Sequence, residues 1–512
     1  MLTSIIVHRN LHKKFKTLWK TIQEQTHRDF EVIILTDHKD EKNDLNLDTN
    51  FPVKILSAEN QSTLGSQLNR ALKESKGQFV LYVHNIKAEI LLKQAALDLF
   101  CLTMEHHPRA GMIYADYELE EEGAVKEIHL LKHHPGRVRD NQDYGEVFYF
   151  RKAALESVGF CDPKLKFNTL YDLRLKLAEK YELVHIANRY AGSLFRIVAE
   201  SKEHNVFDYL LASKESQTEA EEVVNGHLKR IQAYLPPHKF YQARPQASAR
   251  AKLKASVIIP VNNRPQFVGV AIESIQAQTV PEVEAIIVVN GGADDPTIRE
   301  VKRYMAGGDK YSPNKPQVKL LVYDINNLGL CLNMGAKIAE GAYYVQLDSD
   351  DRLKPNAVEK ILQVYESDNT IGMVIGSYEV WELDDHGNYS RMEELPVVTH
   401  DEWTEENGRN NLLRVNGAGA PRSIPIALIN EIGFSVNDEP YARNYGEDYH
   451  MVLQISERHR IGRVWEAIYE VVRHSGGTDH SIDQATIDRN DEAKDYMRLQ
   501  AILRRQKLNQ KG

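Results

Sequence analysis

The chain has 512 residues, of which 42% are hydrophobic and 27% charged, the balance of a soluble globular protein with about two to four domains. Its formal net charge of −9 excludes a nucleic-acid partner, because such interfaces need a basic stripe. The three cysteines are scattered, which excludes a disulfide framework and favours free thiols in a reducing cytoplasm.

The chain opens directly on a predicted strand, 4–7, without the layout of a signal peptide. No apolar run approaches the roughly 18 residues of a membrane-spanning helix. We therefore expect a cytoplasmic protein. Its basic C-terminal stretch, 491–512, is predicted to be a helix that packs on the preceding domain, with docking on an anionic membrane surface as the alternative.

The first half of the chain contains a pattern that the second half repeats. A strand, a helical stretch ending in Gln-Thr and a second strand begin each copy, from Ser4 and from Ser256. Further on, Gly65 and Gly77 are spaced as Gly329 and Gly341 are. Alternating strands and helices indicate βαβ units with a largely parallel sheet. The repeat therefore predicts two similar domains in tandem.

A linker separates the two copies. A predicted helix over 215–235 ends at Pro236-Pro237, and the basic stretch 242–254 follows. The predicted domains are 1–200, a helical linker 201–254, a second domain 255–490, and the C-terminal helix 491–512.

The second copy ends its third strand, 343–347, in an acidic run, 348–351. Ligands bind at the carboxyl ends of strands in open α/β sheets, and carboxylates suit Mg²⁺ or Mn²⁺ shared with phosphates. The alternative is a simple turn or helix cap. In the first copy the run is replaced by His84-Asn85-Ile86, which forms no hard metal site.

Together these features resemble family 2 glycosyltransferases of the GT-A fold, well over 254–481 and weakly over 1–200. The matching blocks are the opening strand and loop 256–264, the helix through Asn333 and Gly335, the Asp-Ser-Asp motif 348–350, the acidic motif 446–449 and the late motif 472–475. The resemblance implies an α/β fold of two tandem Rossmann-like GT-A domains, each with a mostly parallel central sheet flanked by helices. Only the second would carry the metal motif, so the first would be degenerate.

The resemblance also implies a role for each motif. Asp348, Asp350 and His474 would hold Mn²⁺ or Mg²⁺, although His474 could be an ordinary structural histidine. Asp448 would be the general base, with Glu447 orienting the substrate or acting in its place; alternatively the pair only caps a helix. The residues expected to contact the nucleotide-sugar are Pro260, Asn262, Asn263, Asn290, Gly329, Asn333, Asp348 and Ser349.

Two departures from the family affect the donor site. Asn290 stands where many members have an aspartate that contacts the base, and Leu332 stands where an arginine is frequent. The first domain has Asp37 at the position of Asn290 and Asp172 near that of Asp448.

The implied function is inverting transfer of a sugar from a UDP-sugar, or less favourably a GDP-sugar, to a hydroxyl of a glycan, glycolipid or small glycoside. The alternatives are a non-catalytic carbohydrate-binding scaffold and a sugar nucleotidyltransferase. The latter lacks its glycine-rich loop after the first strand. The first domain would bind the acceptor glycan or serve as a scaffold. The sequence leaves homo-oligomerisation and peripheral membrane contact open.

Overall fold

The computed structural model describes residues 2–9, 12–36, 49–57, 62–86, 88–188, 192–199, 213–384, 386–404, 406, 408–436, 438, 446–474 and 483–511. The chain forms two compact units, Met1–Ile231 and Gln232–Gly512. We call them the first and second units.

Both units are α/β. The elements of the first unit are β1 Thr3–His8, α1 His12–Gln23, β2 Phe30–Thr36, β3 Val53–Ser57, α2 Leu64–Glu74, β4 Phe79–Val83, β5 Glu89–Leu92, α3 Ala96–His106, β6 Ala110–Ala115, β7 Tyr117–Glu121, β8 Ala124–Ile128, β9 Val147–Arg151, α4 Lys152–Ser157, α5 Thr169–Ala178, β10 Glu182–Ile186, β11 Phe195–Ala199 and α6 Lys214–Arg230.

The second unit follows the same succession. Its elements are β12 Leu253–Val261, α7 Val268–Gln276, β13 Val283–Val289, α8 Thr297–Arg303, β14 Gln317–Val322, α9 Leu328–Ile338, β15 Gly341–Gln346, β16 Arg352–Leu353, α10 Ala357–Ser367, β17 Ile371–Leu383, β18 Tyr389–Arg391, a 3₁₀ turn Asn411–Leu413, β19 Arg422–Pro425, α11 Ile426–Ile432, α12 Glu447–Arg458, β20 Arg460–Arg473 and α13 Gln484–Lys511.

Each unit has a mostly parallel sheet, in which β1, β2 and β4, and likewise β12, β13 and β15, pair in parallel while β9 and β19 run antiparallel to their neighbours. The first unit has a seven-stranded sheet, β10-β6-β9-β4-β1-β2-β3, and a four-stranded sheet, β5-β11-β7-β8. The second has one nine-stranded sheet, β14-β13-β12-β15-β19-β17-β20-β16, with β18 on β17. Every residue of β2 and of β13 is buried, as expected of apolar strands covered by helices on both faces. This arrangement brings the ends of β12 and β15 to one edge of the second sheet.

The same buried polar contacts recur in both units. A serine of the first strand donates to a glutamate of the second, and it accepts the N–H of the glycine before the next strand. The recurring contacts are Ser4 to Glu31 and Ser256 to Glu284, both 2.6 Å, and Gly77 to Ser4 and Gly341 to Ser256, both 2.9 Å. The repeat read from the sequence is therefore repeated in hydrogen bonds as well.

The predicted linker differs from what the structure shows. Residues 201–212 lie outside the described part of the chain, and α6 ends at Arg230, before the predicted end at Leu235. Leu235 is held differently: its N–H donates to the Asn410 side chain, which donates back to its carbonyl, both at 2.9 Å. These bonds replace the helical ones, so the chain leaves the helix before Pro236-Pro237.

The C-terminal helix α13 begins at Gln484, earlier than the predicted 491. Its apolar residues Met497 and Ile502 are buried in the second unit, as is Arg498, whose guanidinium bonds the carbonyls of residues 413 and 415. The helix thus uses its apolar face for packing. Across the described residues, no helix is both long enough and apolar enough to cross a membrane.

Candidate active site

A narrow cleft opens in the second unit where β12 and β15 end and α12 begins. Its enclosed part has a volume of about 30 Å³. The side chains that line it are Pro260, Leu328, Leu332, Tyr344, Gln346, Asp348, Met373, Arg422, Ile424, Phe434, Glu447 and Asp448. The cleft therefore joins the acidic run to the acidic motif of α12, which the sequence places 100 residues apart (348 and 448).

The last carboxylate of the acidic run is structural. Asp351 is buried and accepts from the Tyr469 hydroxyl at 2.7 Å and from the Val472 N–H at 2.8 Å. These contacts fix the turn after β15 to the end of β20. The interpretation of the acidic run as a turn therefore applies to Asp351. Its two hydrogen bonds also fix the C-terminal end of β20.

His474 follows directly after β20 and lies beside Asp350. The His474 Nε2 is 3.2 Å from the Asp350 Oδ2, and the ring of Phe267 stacks on the imidazole with 4.2 Å between centroids. A ring fixed in this way presents its nitrogen to the carboxylate. The structure thus brings together two side chains that the sequence predicts as ligands of one metal ion, and that role stays a prediction.

Asp348 faces the cleft. Its N–H donates to the Tyr469 hydroxyl at 3.0 Å, and its carboxylate accepts from Gln346 at 3.3 Å. Asp348 is exposed as a residue, while the protein atoms around its carboxyl group desolvate that group. This desolvation raises its pKa, Arg422 lowers it, and the nearby Asp350 raises it further. A cation would favour the charged form of both carboxylates.

The donor set has the chemistry of a shared metal site. Within the described ranges, no three His, Cys, Asp or Glu side chains converge closely enough to hold an ion alone. Asp348, Asp350 and His474 nevertheless offer carboxylate oxygens and an imidazole nitrogen, which suit Mn²⁺, while the carboxylates alone suit Mg²⁺. Such ions commonly take the rest of their ligands from substrate phosphates and water. These residues could hold a metal in that way.

The acidic motif forms the start of α12. Gly446, with φ of 83°, turns the chain into the helix at Glu447. Asp448 forms an ion pair with Arg422. Burial opposes ionisation of Asp448, but Arg422 and Lys494 outweigh it, so its pKa is lowered. Burial, together with the charge of Asp448, raises the pKa of Glu447 to about 7.

The sequence interpretation missed the two cations of this site. Arg422, at the start of β19, has 15% of its side chain exposed and donates to the Gly419 carbonyl at 2.9 Å as well as to Asp448. Lys494 comes from α13 and donates to the Asn416 carbonyl. Neither residue lies in a recognisable motif, and only the fold brings them to the carboxylates. The feature that Arg422 and Lys494 share is a positive charge on a largely buried side chain.

The loop after β12 is held by two residues that the sequence did not single out. Asp295 accepts the N–H of Asn263 at 2.8 Å, and the Thr297 hydroxyl accepts the N–H of Arg264 at 2.9 Å. Asn262 and Asn263 are exposed, and Asn263 has φ of 51°. Their side chains are therefore presented to solvent on a fixed loop.

Asn290 lies at the end of β13. Its side-chain N–H donates to Asn326 at 3.2 Å. Its side-chain oxygen is buried and has no hydrogen-bond partner among the described residues. An acceptor in this state fits an N–H group of a ligand, because an unmet buried acceptor costs about 1–3 kcal/mol. A nucleobase is one source of such an N–H.

Gly329 and Asn333 serve packing between segments of the protein. A Cβ on Gly329 would lie 1.7 Å from the Ser435 carbonyl oxygen. Asn333 donates to the Phe434 carbonyl at 2.8 Å and accepts its N–H at 2.9 Å. We assign both residues to packing, since they fix α9 to the segment after α11, and their predicted contact with the nucleotide-sugar stays to be tested. Pro260 lines the cleft, and Ser349 is buried beside it.

The first unit keeps the contact by which an asparagine fixes a helix to a later segment of the chain, but it lacks the charged residues of the cleft. Asn69 bonds the Cys161 backbone in both directions, at 2.8 and 3.0 Å, as Asn333 bonds Phe434. β1, β4 and β9 pair in the same register as β12, β15 and β19. By that register the replacements are His84 for Asp348, Ile86 for Asp350 and Phe148 for Arg422.

The helices α5 and α12 of the two units also correspond to each other. The Tyr171 hydroxyl donates to the Val138 carbonyl as the Tyr449 hydroxyl donates to that of Leu412, both at 2.6 Å. Counting back from these tyrosines, Thr169 and Leu170 replace Glu447 and Asp448. Asp172, expected near the position of Asp448, lies two residues further along, after the tyrosine, and pairs with Lys176 at 2.6 Å. Asp37 lies outside the described residues, as do Ser475, Asp479 and His480.

Comparison with known proteins gives relatives for the second unit. Residues 256–416 match the sequence model of "Glycosyl transferase family 2", less than half of the chain. A chondroitin synthase of Escherichia coli is 29% identical over 165 residues, covering 31% of this chain and 22% of the relative. A hyaluronan synthase of Pasteurella multocida is 30% identical over 119 residues, covering 23% and 11%.

Another relative is also named as a glycosyltransferase. An uncharacterized glycosyltransferase of Rickettsia prowazekii is 34% identical over 135 residues, covering 26% of this chain and 39% of the relative. The chain thus spans well under two thirds of the length of these relatives. Among solved structures, S. aureus TarS 1–349 in complex with UDP-GlcNAc is 19% identical with a TM-score of 0.35, covering 46% of this chain and 64% of that one, which is too distant to support an argument. The segment 256–416, which includes Asp348 and Asp350, is therefore the part of this chain that matches glycosyl transferase family 2.

Proposed function

We propose that this protein is an inverting, metal-dependent glycosyltransferase that moves a sugar from a nucleoside diphosphate sugar to an acceptor hydroxyl. The observation that carries the proposal is the cleft in which Asp348 and the Glu447–Asp448 pair face each other, within a segment that matches glycosyl transferase family 2. A transferase of this kind needs stabilisation of a leaving diphosphate and a proton acceptor for the attacking hydroxyl. The two ends of the cleft offer these two functions.

On the donor side, Asp348, Asp350 and His474 would hold Mn²⁺ or Mg²⁺. When bound, the ion supplies Lewis-acid stabilisation of charge on the diphosphate. Asn290 presents an unpartnered oxygen that suits the N–H of a uracil, which favours a UDP-sugar. Asn262 and Asn263 lie on the loop fixed by Asp295, where exposed amides can reach the nucleotide.

On the acceptor side, the carboxylate pair takes up the proton of the attacking hydroxyl. Arg422 keeps Asp448 charged, and a negative neighbour together with burial leaves Glu447 with a pKa of about 7. A general base works best when its pKa is near the working pH. We therefore assign the proton to Glu447, with Asp448 orienting the hydroxyl, which reverses the emphasis of the sequence reading. Direct displacement at the anomeric carbon would give inversion.

Binding without catalysis is the second candidate, and it is favoured for the first unit alone. That unit has lost each of the charged cleft residues compared above, whereas the second unit keeps them together. A sugar nucleotidyltransferase gains no support, because the loop after β12 offers no glycine-rich grip for a triphosphate.

The test is release of nucleoside diphosphate from a panel of UDP-, GDP- and dTDP-sugars with Mn²⁺, with Mg²⁺ and with EDTA. We expect metal-dependent release from one donor. Asp350→Ala should abolish it, while His84→Ala, at the equivalent of Asp348 in the first unit, should not. Donor binding is measured in parallel by calorimetry. Metal-independent release, or full activity of Asp350→Ala, would contradict the site assignment.

A further inference from the structure

A cavity of the first unit lies at the place where the second unit has its cleft. Its volume is about 220 Å³. Four of its lining residues hold the positions of cleft residues by strand and helix register: Met112 for Met373, Phe148 for Arg422, Phe150 for Ile424 and Leu170 for Asp448. The first unit therefore has a cavity at the position where the second unit has its cleft, with Phe148 and Leu170 in place of the charged Arg422 and Asp448.

The inner wall of the cavity is aromatic and apolar. Phe148 and Phe150 project from β9, and Tyr144 and Tyr171 close the side next to α5. All four rings are buried and occupy fixed positions. Such rings offer flat faces to the C–H face of a ligand.

Arg174 holds this wall in place. Its guanidinium lies 4.5 Å from the centre of the Tyr144 ring and 5.3 Å from that of Tyr171. It also donates to the carbonyls of Arg137, at 2.9 Å, and Arg139. The cation is thus engaged by the protein and is not presented as a site for an anion. The cavity is preorganised, which lowers the entropic cost of binding.

The mouth of the cavity is polar and acidic. Asp140, Gln142, Asp143 and Glu146 lie around it. Asp143 is exposed, although its oxygens also accept from the Tyr117 hydroxyl and the Gly145 N–H. Carboxylate and amide oxygens accept hydrogen bonds from hydroxyl groups, while three carboxylates repel a phosphate or a uronate. A ligand with an apolar ring face and uncharged hydroxyl edges matches both parts of the cavity.

We propose that this cavity is a non-catalytic binding site for a neutral sugar residue, in which the ring rests on the aromatic wall and its hydroxyls donate to the acidic mouth. The site does not take a sugar nucleotide. The proposal rests on the proposed function only in that a transferase would use such a site to retain a glycan. Binding itself requires no activity of the second unit.

The test is saturation-transfer NMR on the full chain with glucose, galactose, N-acetylglucosamine, N-acetylgalactosamine and their disaccharides, each compared with glucuronic acid and with UDP. We expect at least one neutral sugar to receive transfer at its ring protons. Leu170→Trp, which fills the cavity from α5, should abolish that transfer. Gln142→Ala at the polar mouth, where the Gln142 oxygen accepts from Arg139, should weaken binding roughly tenfold or less, with folding checked by unfolding in urea.

Asp350→Ala is the matched control in the second unit, and it should leave this binding unchanged even if it abolishes donor turnover. Failure of the proposed function would appear as absent turnover with sugar binding intact. Three results would overturn the present inference: no transfer to any neutral sugar, stronger transfer to glucuronic acid or UDP that Leu170→Trp removes, or neutral-sugar transfer unaffected by both Leu170→Trp and Gln142→Ala.

Discussion

The pKa of Glu447 makes the proton acceptor testable by pH. Burial, with the charge of Asp448, raises it from an ordinary value of 4.5 to about 7, a shift that disfavours the ionised form by about 3 kcal/mol. If Glu447 accepts the proton, kcat/KM should fall about tenfold per pH unit below pH 7. If Asp448 accepts it, the fall should lie well below pH 5, because its pKa is lowered.

The same shift predicts an effect on stability that does not depend on turnover. A group with a raised folded-state pKa contributes stability below its unfolded pKa and loses it as the pH rises through the folded value. Glu447→Gln, which cannot ionise, should therefore exceed the wild type in free energy of unfolding at pH 8.5 by up to about 3 kcal/mol, with little gain at pH 4.

The assays are a pH–rate profile of diphosphate release and urea unfolding at both pH values. Asp448→Asn serves as the comparison, because it removes the charge that helps to raise the Glu447 pKa and should move the acidic limb of any residual activity downward. A rate that stays flat from pH 8 to pH 5, together with equal stability of Glu447→Gln and wild type at pH 8.5, would refute the assignment of the proton to Glu447.

Three further outcomes are expected. Asn333→Ala should lower the free energy of unfolding by about 2–4 kcal/mol, since it strands two backbone groups, and Asn69→Ala should do the same in the first unit; donor binding measured on folded Asn333→Ala at low temperature should be unchanged. Arg422→Met should cost up to about 3 kcal/mol in urea unfolding and raise the pKa of Asp448, because it leaves a partly buried carboxylate without its cation; equal stability would refute the ion pair. Lys494→Met should reduce turnover more at pH 6 than at pH 8, and a uniform loss at both values would contradict its electrostatic role.

The fold class and the place of Asp348 and Asp350 after a buried strand were predictable because they depend on local patterns. Apolar runs specify buried parallel strands, and a strand that ends in Asp348 and Asp350 delivers both side chains to one edge. The spacing of Gly65 and Gly77 also revealed the repeat, because each glycine serves a contact that both units share.

The roles of Gly329 and Asn333 were not predictable, since a glycine and an asparagine suit close packing and ligand contact equally well. The cations of the site are a different case. Arg422 and Lys494 reach Asp448 through tertiary folding, and no local pattern encodes such contacts.

The packing of α13 has a consequence for how the protein matures. Lys494 lowers the pKa of Asp448, Met497 packs against Gly446, and Arg498 ties down the chain near Asn416. The acidic motif therefore acquires its final charge state only when the last helix is in place. A chain in which α13 has not yet packed on the second unit would therefore lack the charge state that the proposed mechanism uses.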